Sequence, residues 1–112
     1  MRDDSVYLRH ILDAIGRIQE YVHNMQIADF MSNHMAQDAV IRQFEVIGEA
    51  TKNLSDAFRS QHSELPWKDM AGMRDKLIHQ YFGVDIVAVW SSVQQDLPAV
   101  KTSLTSILKQ SK

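Results

Sequence analysis

Apolar residues recur along this chain at helical intervals and almost never in strict alternation. Ile11, Ile15, Ile18 and Val22, flanked by Leu8 and Leu12, keep to one helix face. Asp3 or Asp4 stands where an N-cap belongs. Val40, Phe44, Ile47, Thr51, Leu54 and Phe58 step by 4-3-4-3-4. Ile86, Trp90, Val93, Leu97, Val100, Leu104 and Ile107 step by 4-3-4-3-4-3. Ladders of this kind return side chains to one stripe, so each specifies an amphipathic helix and together they specify a bundle. Pro66 opens a further helix, because the N–H it lacks would be an orphan in the first turn. Asp69 in that turn complements the helix dipole. This helix is expected to reach Tyr81 or Phe82 and to stop at Gly83, after which Asp85 caps the last helix. Pro98 falls inside that last helix and predicts a kink near Gln94 to Leu97, where the carbonyl four residues back loses its donor. Asn24 to Ser32 and Ser60 to Leu65 read as connections. The pattern predicts an all-α chain: an antiparallel four-helix bundle with a kinked last helix, one domain over residues 1–112.

Composition narrows the class. Twelve Lys and Arg against fourteen Asp and Glu give a net charge of −2, which excludes a uniformly basic nucleic-acid binder but permits a local basic patch. The absence of cysteine removes disulfides, zinc–thiolate and iron–sulfur sites and a thiol nucleophile. The longest run without Asp, Glu, Lys or Arg, Ile86 to Gln95, is far shorter than the ~18 residues of a membrane span. Asp3 and Asp4 stand where a signal peptide needs apolar residues. A cytoplasmic protein is expected.

The helix from Pro66 breaks its own pattern. At about 100° per residue, Arg74 points out of the middle of the apolar arc, with Met70, Leu77 and Tyr81 on one side and Trp67, Ala71 and Ile78 on the other. A guanidinium keeps its charge, so Arg74 must meet a carboxylate, carbonyls, a polar cleft or an anionic ligand. One reading lays its stem on apolar surface and pairs it with an acid on a neighbouring helix. The other places it at a functional site, where binary patterning is locally violated. His79 follows about 140° around and roughly 7.5 Å along the axis, so the two do not share a face of a straight helix. A histidine in a last turn is also explained by the helix carbonyls it neutralises. Together the pair suits metal-free RNA cleavage. That reaction needs a base for the ribose 2′-OH, an acid for the leaving 5′-oxygen and a cation on the phosphate oxygens.

At these residues the chain resembles the HEPN ribonuclease toxins, specifically the HepT family. Arg74, His79 and Tyr81 fit the Arg-x-x-x-x-His-x-Tyr signature. Val46-Ile47-Gly48-Glu49-Ala50, Leu54-Ser55, Leu65-Pro66-Trp67, Gly72-Met73-Arg74 and Val89-Trp90 extend the likeness over residues 5 to 108. The resemblance implies a HEPN-like domain that forms a homodimer, with Arg74 and His79 lining a cleft at or near the two-fold axis and Asp75 supporting it. It implies a metal-independent endoribonuclease that needs no cofactor and acts as the toxin of a type VII toxin–antitoxin system. The partner it implies is an MntA-like nucleotidyltransferase antitoxin that transfers AMP from ATP onto Tyr81. Each AMP would add negative charge and bulk beside the cleft and repel RNA.

Other residues carry plainer expectations. Gly48, costly inside a helical ladder, is read as permitting close helix approach. Arg42, Glu45, Glu49 and Lys52, spaced 3-4-3, form a solvated charged stripe, a surface for the partner or support for the cleft. Arg59, Lys68, Arg74 and Lys76 place any RNA-facing patch around the helix from Pro66, with modest, salt-sensitive binding. His10, His23, His34 and His62 show no ligand spacing and predict no metal. Met25, Met31, Met35, Met70 and Met73 are expected to fill a core or a dimer interface. With no Gly-rich phosphate loop, the chain is a substrate in any nucleotide transfer. Two rival readings stay open: a non-catalytic helical partner that docks on a nucleotidyltransferase, and a dimerisation module with an internal Arg–carboxylate pair.

Overall fold

A computed structural model describes residues 3–72 and 85–110 of the chain. Its first helix, α1 (Asp4–Tyr21), begins where the sequence places its cap. The Asp3 carboxylate accepts hydrogen bonds from the Ser5 hydroxyl at 2.7 Å and the Ser5 backbone N–H at 3.0 Å. The chain then turns through Asn24, whose φ of 64° lies in the left-handed region that Asn tolerates better than most residues.

The stretch from Asn24 to Ser32, expected to be a connection, contains a short helix, α2 (Ile27–Ser32). Six residues are too few to display a period, and its ends are held by side chains. Asp29 accepts from the Gln26 N–H at 2.9 Å. At the other end the Gln37 amide donates to the carbonyls of Phe30 (2.9 Å) and Met31 (3.0 Å), which have no partner within α2.

Asn33 caps α3 (His34–Lys52) through the Ala36 N–H. The ladder from Val40 to Phe58 is divided between two helices, a correction to its reading as one. Asn53 donates its amide back to the Glu49 carbonyl at 2.9 Å, Leu54 closes on Thr51, and α4 (Asp56–Gln61) starts afresh under a Ser55 cap. Helical spacing persists across the break because Leu54 still turns into the core, 3% exposed. Asp4 ties this corner to α1, accepting from both the Ser55 N–H and its hydroxyl at 2.8 Å.

Residues 67–72 are helical (α5 below). After Asp85, which caps through the Ala88 N–H, come α6 (Ile86–Ser91), a π turn (Ser92–Asp96) and α7 (Leu97–Gln110). In the π turn the Leu97 N–H reaches back five residues to the Ser92 carbonyl. This wide turn stands just before Pro98, whose ring crowds the carbonyl four residues back and offers no donor to it.

Among the described residues there is no strand, and the chain is all-α. α1 packs along both α3 and α7, and α2 bridges α3 and α6. Ile11, Ile15, Ile18, Val40 and Leu104 are fully enclosed in the resulting core. Burying each such side chain contributes about 1.5–3 kcal/mol. Phe30 rests against Trp90 with ring centroids 5.1 Å apart, joining the α2 side of the core to α6. Thr51 is the polar member of its ladder, and its buried hydroxyl donates to the Ile47 carbonyl at 2.7 Å.

The methionines divide. Met70 lies in the core and Met25 packs against it, but Met31 is 44% exposed and Met35 82% exposed, so these two fill no gap inside this chain. Met73 lies outside the described residues.

Candidate functional site

The segment that leads to the Arg-x-x-x-x-His-x-Tyr signature is set firmly. Leu65 is buried, and the Pro66 carbonyl accepts the first helical hydrogen bond, from the Met70 N–H at 3.0 Å. Trp67 is 7% exposed, and its indole N–H donates to the His62 carbonyl at 2.8 Å. Phe58 fills the space between, its ring 4.6 Å from the imidazole of His62 and 5.9 Å from the indole of Trp67. Trp67 and Met70 face inward while Lys68 and Asp69 are exposed, the phase expected for the first turn of this helix. Arg74, Asp75, His79 and Tyr81, and with them Lys76 and the Gly83 stop, lie outside the described residues.

Of the other basic residues expected near the site, Arg59 is engaged by Asp56, Nη2 to Oδ1 2.6 Å, and Lys68 is exposed. The charged stripe of α3 is a solvated face, with Arg42, Glu49 and Lys52 exposed and Glu45 half-buried. Together with α1 it bounds a groove of about 320 Å³, lined among others by Tyr7, His10, Arg42, Glu45 and Glu49. Tyr7 and His10 meet edge to face, with ring centroids 6.1 Å apart. Arg42 stands at the rim, its side chain 71% exposed, and Glu45 is drawn in to 25%, with 3.8 Å between guanidinium and carboxylate. Gly48, on the same helix, is buried.

The α3 stripe is legible in the sequence, whereas His10 carries no ligand spacing there and is exposed in the structure. The missing signal was the pairing of helices: Tyr7 and His10 are one turn apart on α1, and only the packing of α1 on α3 brings them opposite Arg42 and Glu45. A second groove, of about 350 Å³, lies between α5 and the π turn. Its floor includes Phe44, Met70 and Leu97, and among the described residues its rim carries Glu64, Asp69 and Asp96 with no Lys or Arg. Among the described residues no three His, Asp or Glu side chains converge as metal ligands, and no helix is long and apolar enough to cross a membrane.

The described residues form an all-helical chain, and the comparison with known proteins gives the family of helical ribonucleases to which it belongs. The family model described as "Ribonuclease HepT-like" matches residues 11–107, and the chain belongs to this family. It is 44% identical over 108 residues to the "Probable ribonuclease HepT" of Thermococcus cleftensis, covering 96% of this chain and 98% of that protein. It is 40% identical over 112 residues, the whole of both chains, to a protein of Caldanaerobacter subterraneus subsp. tengcongensis named as a putative RNase. A Methanocaldococcus jannaschii protein named as a gamma-glutamylcyclotransferase and putative RNase is 44% identical over 109 residues. The match takes in 97% of this chain but 49% of that longer protein. No solved structure matches the chain significantly.

Proposed function

We propose that the chain is a metal-independent endoribonuclease, the cytoplasmic toxin of a type VII toxin–antitoxin pair, working as a homodimer through Arg74 and His79. The observation that carries this reading is the signature itself, Arg74, His79 and Tyr81 in register, within a chain matched to the ribonuclease family over residues 11–107.

The chemistry follows from the residue types. Imidazole exchanges protons near neutrality, so His79 takes the proton of a ribose 2′-OH or delivers one to the departing 5′-oxygen. The 2′-oxygen attacks the adjacent phosphorus as the bond to the 5′-oxygen breaks, leaving a 2′,3′-cyclic phosphate and a 5′-hydroxyl. Arg74 offers paired donors to the phosphate oxygens as charge builds on them. On a single straight helix the two side chains diverge by about 140°, which is the reason for giving the cleft to two protomers, with Asp75 as support. Tyr81, two residues beyond His79, is the proposed acceptor of AMP from an MntA-like nucleotidyltransferase. The added phosphodiesters bring negative charge to a site that must receive a polyanion.

Cleavage of RNA in EDTA by the purified chain, with Arg74→Ala and His79→Ala beside it and the intact mass of every sample recorded, tests the reading. The unmodified protein is expected to cut. Loss of proton transfer at His79 should slow it by roughly 10²–10⁴-fold, and Arg74→Ala should also be inactive while remaining dimeric. Inactivity of unmodified, dimeric wild type would instead favour the non-catalytic docking partner.

A further inference from the structure

The groove between α1 and α3 combines three kinds of group that no single simple ligand uses. It has aromatic surface from Tyr7 and His10, carboxylates from Glu45 and Glu49, and one guanidinium, Arg42, at its mouth. Glu45 stands 3.8 Å from Arg42, so a bare phosphate at the guanidinium meets that carboxylate's negative charge and gains little here. A ligand that fits must present a planar ring, hydrogen-bond donors toward Glu45, and an anion near Arg42. A nucleotide has all three, and about 320 Å³ falls in the range of small-ligand sites.

The base can be named from the donor inventory. An ionised carboxylate only accepts. Guanine presents N1–H and an exocyclic amino group side by side on its Watson–Crick edge, two donors for two carboxylate oxygens. Adenine and cytosine set one amino group beside a ring acceptor, and uracil sets one N–H between two carbonyls, so each points a lone pair at the carboxylate. Single-stranded RNA is read on these edges while the base stacks on aromatic side chains.

We infer that this groove is a nucleobase subsite selective for guanine: Glu45 reads the base edge, one ring of the edge-to-face Tyr7–His10 pair stacks on the base, and Arg42 meets the adjoining phosphate. Glu45 is three-quarters shielded from solvent, where its hydrogen bonds discriminate more strongly than in water. It forms an open ion pair with Arg42 at 3.8 Å, longer than a hydrogen bond, so a ligand can insert its donors and its phosphate between the two charges. Among the described residues, the groove beside the π turn offers Glu64, Asp69 and Asp96 but no Lys or Arg to meet a phosphate. The use of the subsite in RNA cleavage rests on the ribonuclease reading, but its ligand preference does not.

The test is titration of the full chain with guanosine 3′-monophosphate and, separately, adenosine 3′-monophosphate, followed by calorimetry and by amide and imidazole NMR shifts. A paired base contact of this type discriminates by about tenfold or more, so the guanine nucleotide is expected to bind at least that much tighter and to shift His10. Glu45→Gln should abolish the preference, since its amide sets a donor against a donor. Arg42→Gln should weaken both nucleotides alike and leave the preference intact. Equal affinity for the two nucleotides, no binding of either at millimolar concentration, or a preference that survives Glu45→Gln would each overturn the proposal. A chain that prefers guanine but cuts no RNA would refute the ribonuclease reading alone; one that cuts RNA without the preference would refute this one alone.

Discussion

At the scale of single residues, the first cap shows how little machinery a helix start requires. Asp3 is fully exposed, yet the Ser5 hydroxyl and then the Ser5 backbone N–H donate to its carboxylate and hold its pKa below the usual 3.8. Because the folded value is the lower one, Asp3 contributes stability above the unfolded pKa. That contribution fades as pH falls below about 3.8 and through the folded value. Asp3→Ala is therefore expected to destabilise α1 at neutral pH and to match the wild type once both are strongly acidified, as urea midpoints across a pH series would show. Asp4 does different work one position on, since its two bonds to Ser55 cross from α1 to the start of α4. Nothing in the spacing of acidic residues distinguishes these two roles; the turn geometry assigns them.

At the scale of elements, the long helices were legible and the short ones were not. α1 and α3 follow their ladders because each has enough turns for a period to repeat and a small polar cap at its start. α2 has six residues and depends on neighbours, above all on the Gln37 amide that takes up two of its last carbonyls. Gln37→Ala is expected to cost about 1–2 kcal/mol and to speed amide exchange selectively in α2, because each hydrogen bond contributes roughly 0.5–1.5 kcal/mol. The division of the Val40-to-Phe58 ladder was hidden for the opposite reason. Spacing alone continued the period through a break that Asn53 and Ser55 impose by hydrogen bonds to nearby backbone. Pro98 announced a disturbance in the last helix, and the backbone shows a π turn of five residues in front of it.

At the scale of the whole molecule, the core is continuous from α1 through α3 to α7, and Leu104 lies at its centre, fully enclosed. Leu104→Ala is expected to cost about 2–5 kcal/mol, the usual penalty for leaving a cavity where a buried leucine stood. Met35→Ala, at a position 82% exposed, should leave the stability of the isolated chain nearly unchanged; chemical denaturation of the two variants side by side checks both. Among the described residues, the groove by the π turn is rimmed by Glu64, Asp69 and Asp96, while the one between α1 and α3 sets Arg42 and two aromatic rings beside its carboxylates.

The order of residues alone is enough to specify the helical class, the membership of the three long ladders and the presence of Arg74, His79 and Tyr81 in one signature. Helical periodicity is a local property, repeated every few residues, and a motif is readable wherever its members lie close in the chain. What tertiary structure alone decided is which faces meet. Tyr7 and His10 are more than thirty positions from Arg42 and Glu45 along the chain, and they line one groove only because α1 packs on α3. Likewise Met31 and Met35, which by type suit a core or a dimer interface, stand exposed on this chain, while Phe30, Phe44 and the isoleucines of α1 fill the core. Burial is settled by the competition of every apolar side chain for a limited interior, and no position along the chain carries that outcome alone.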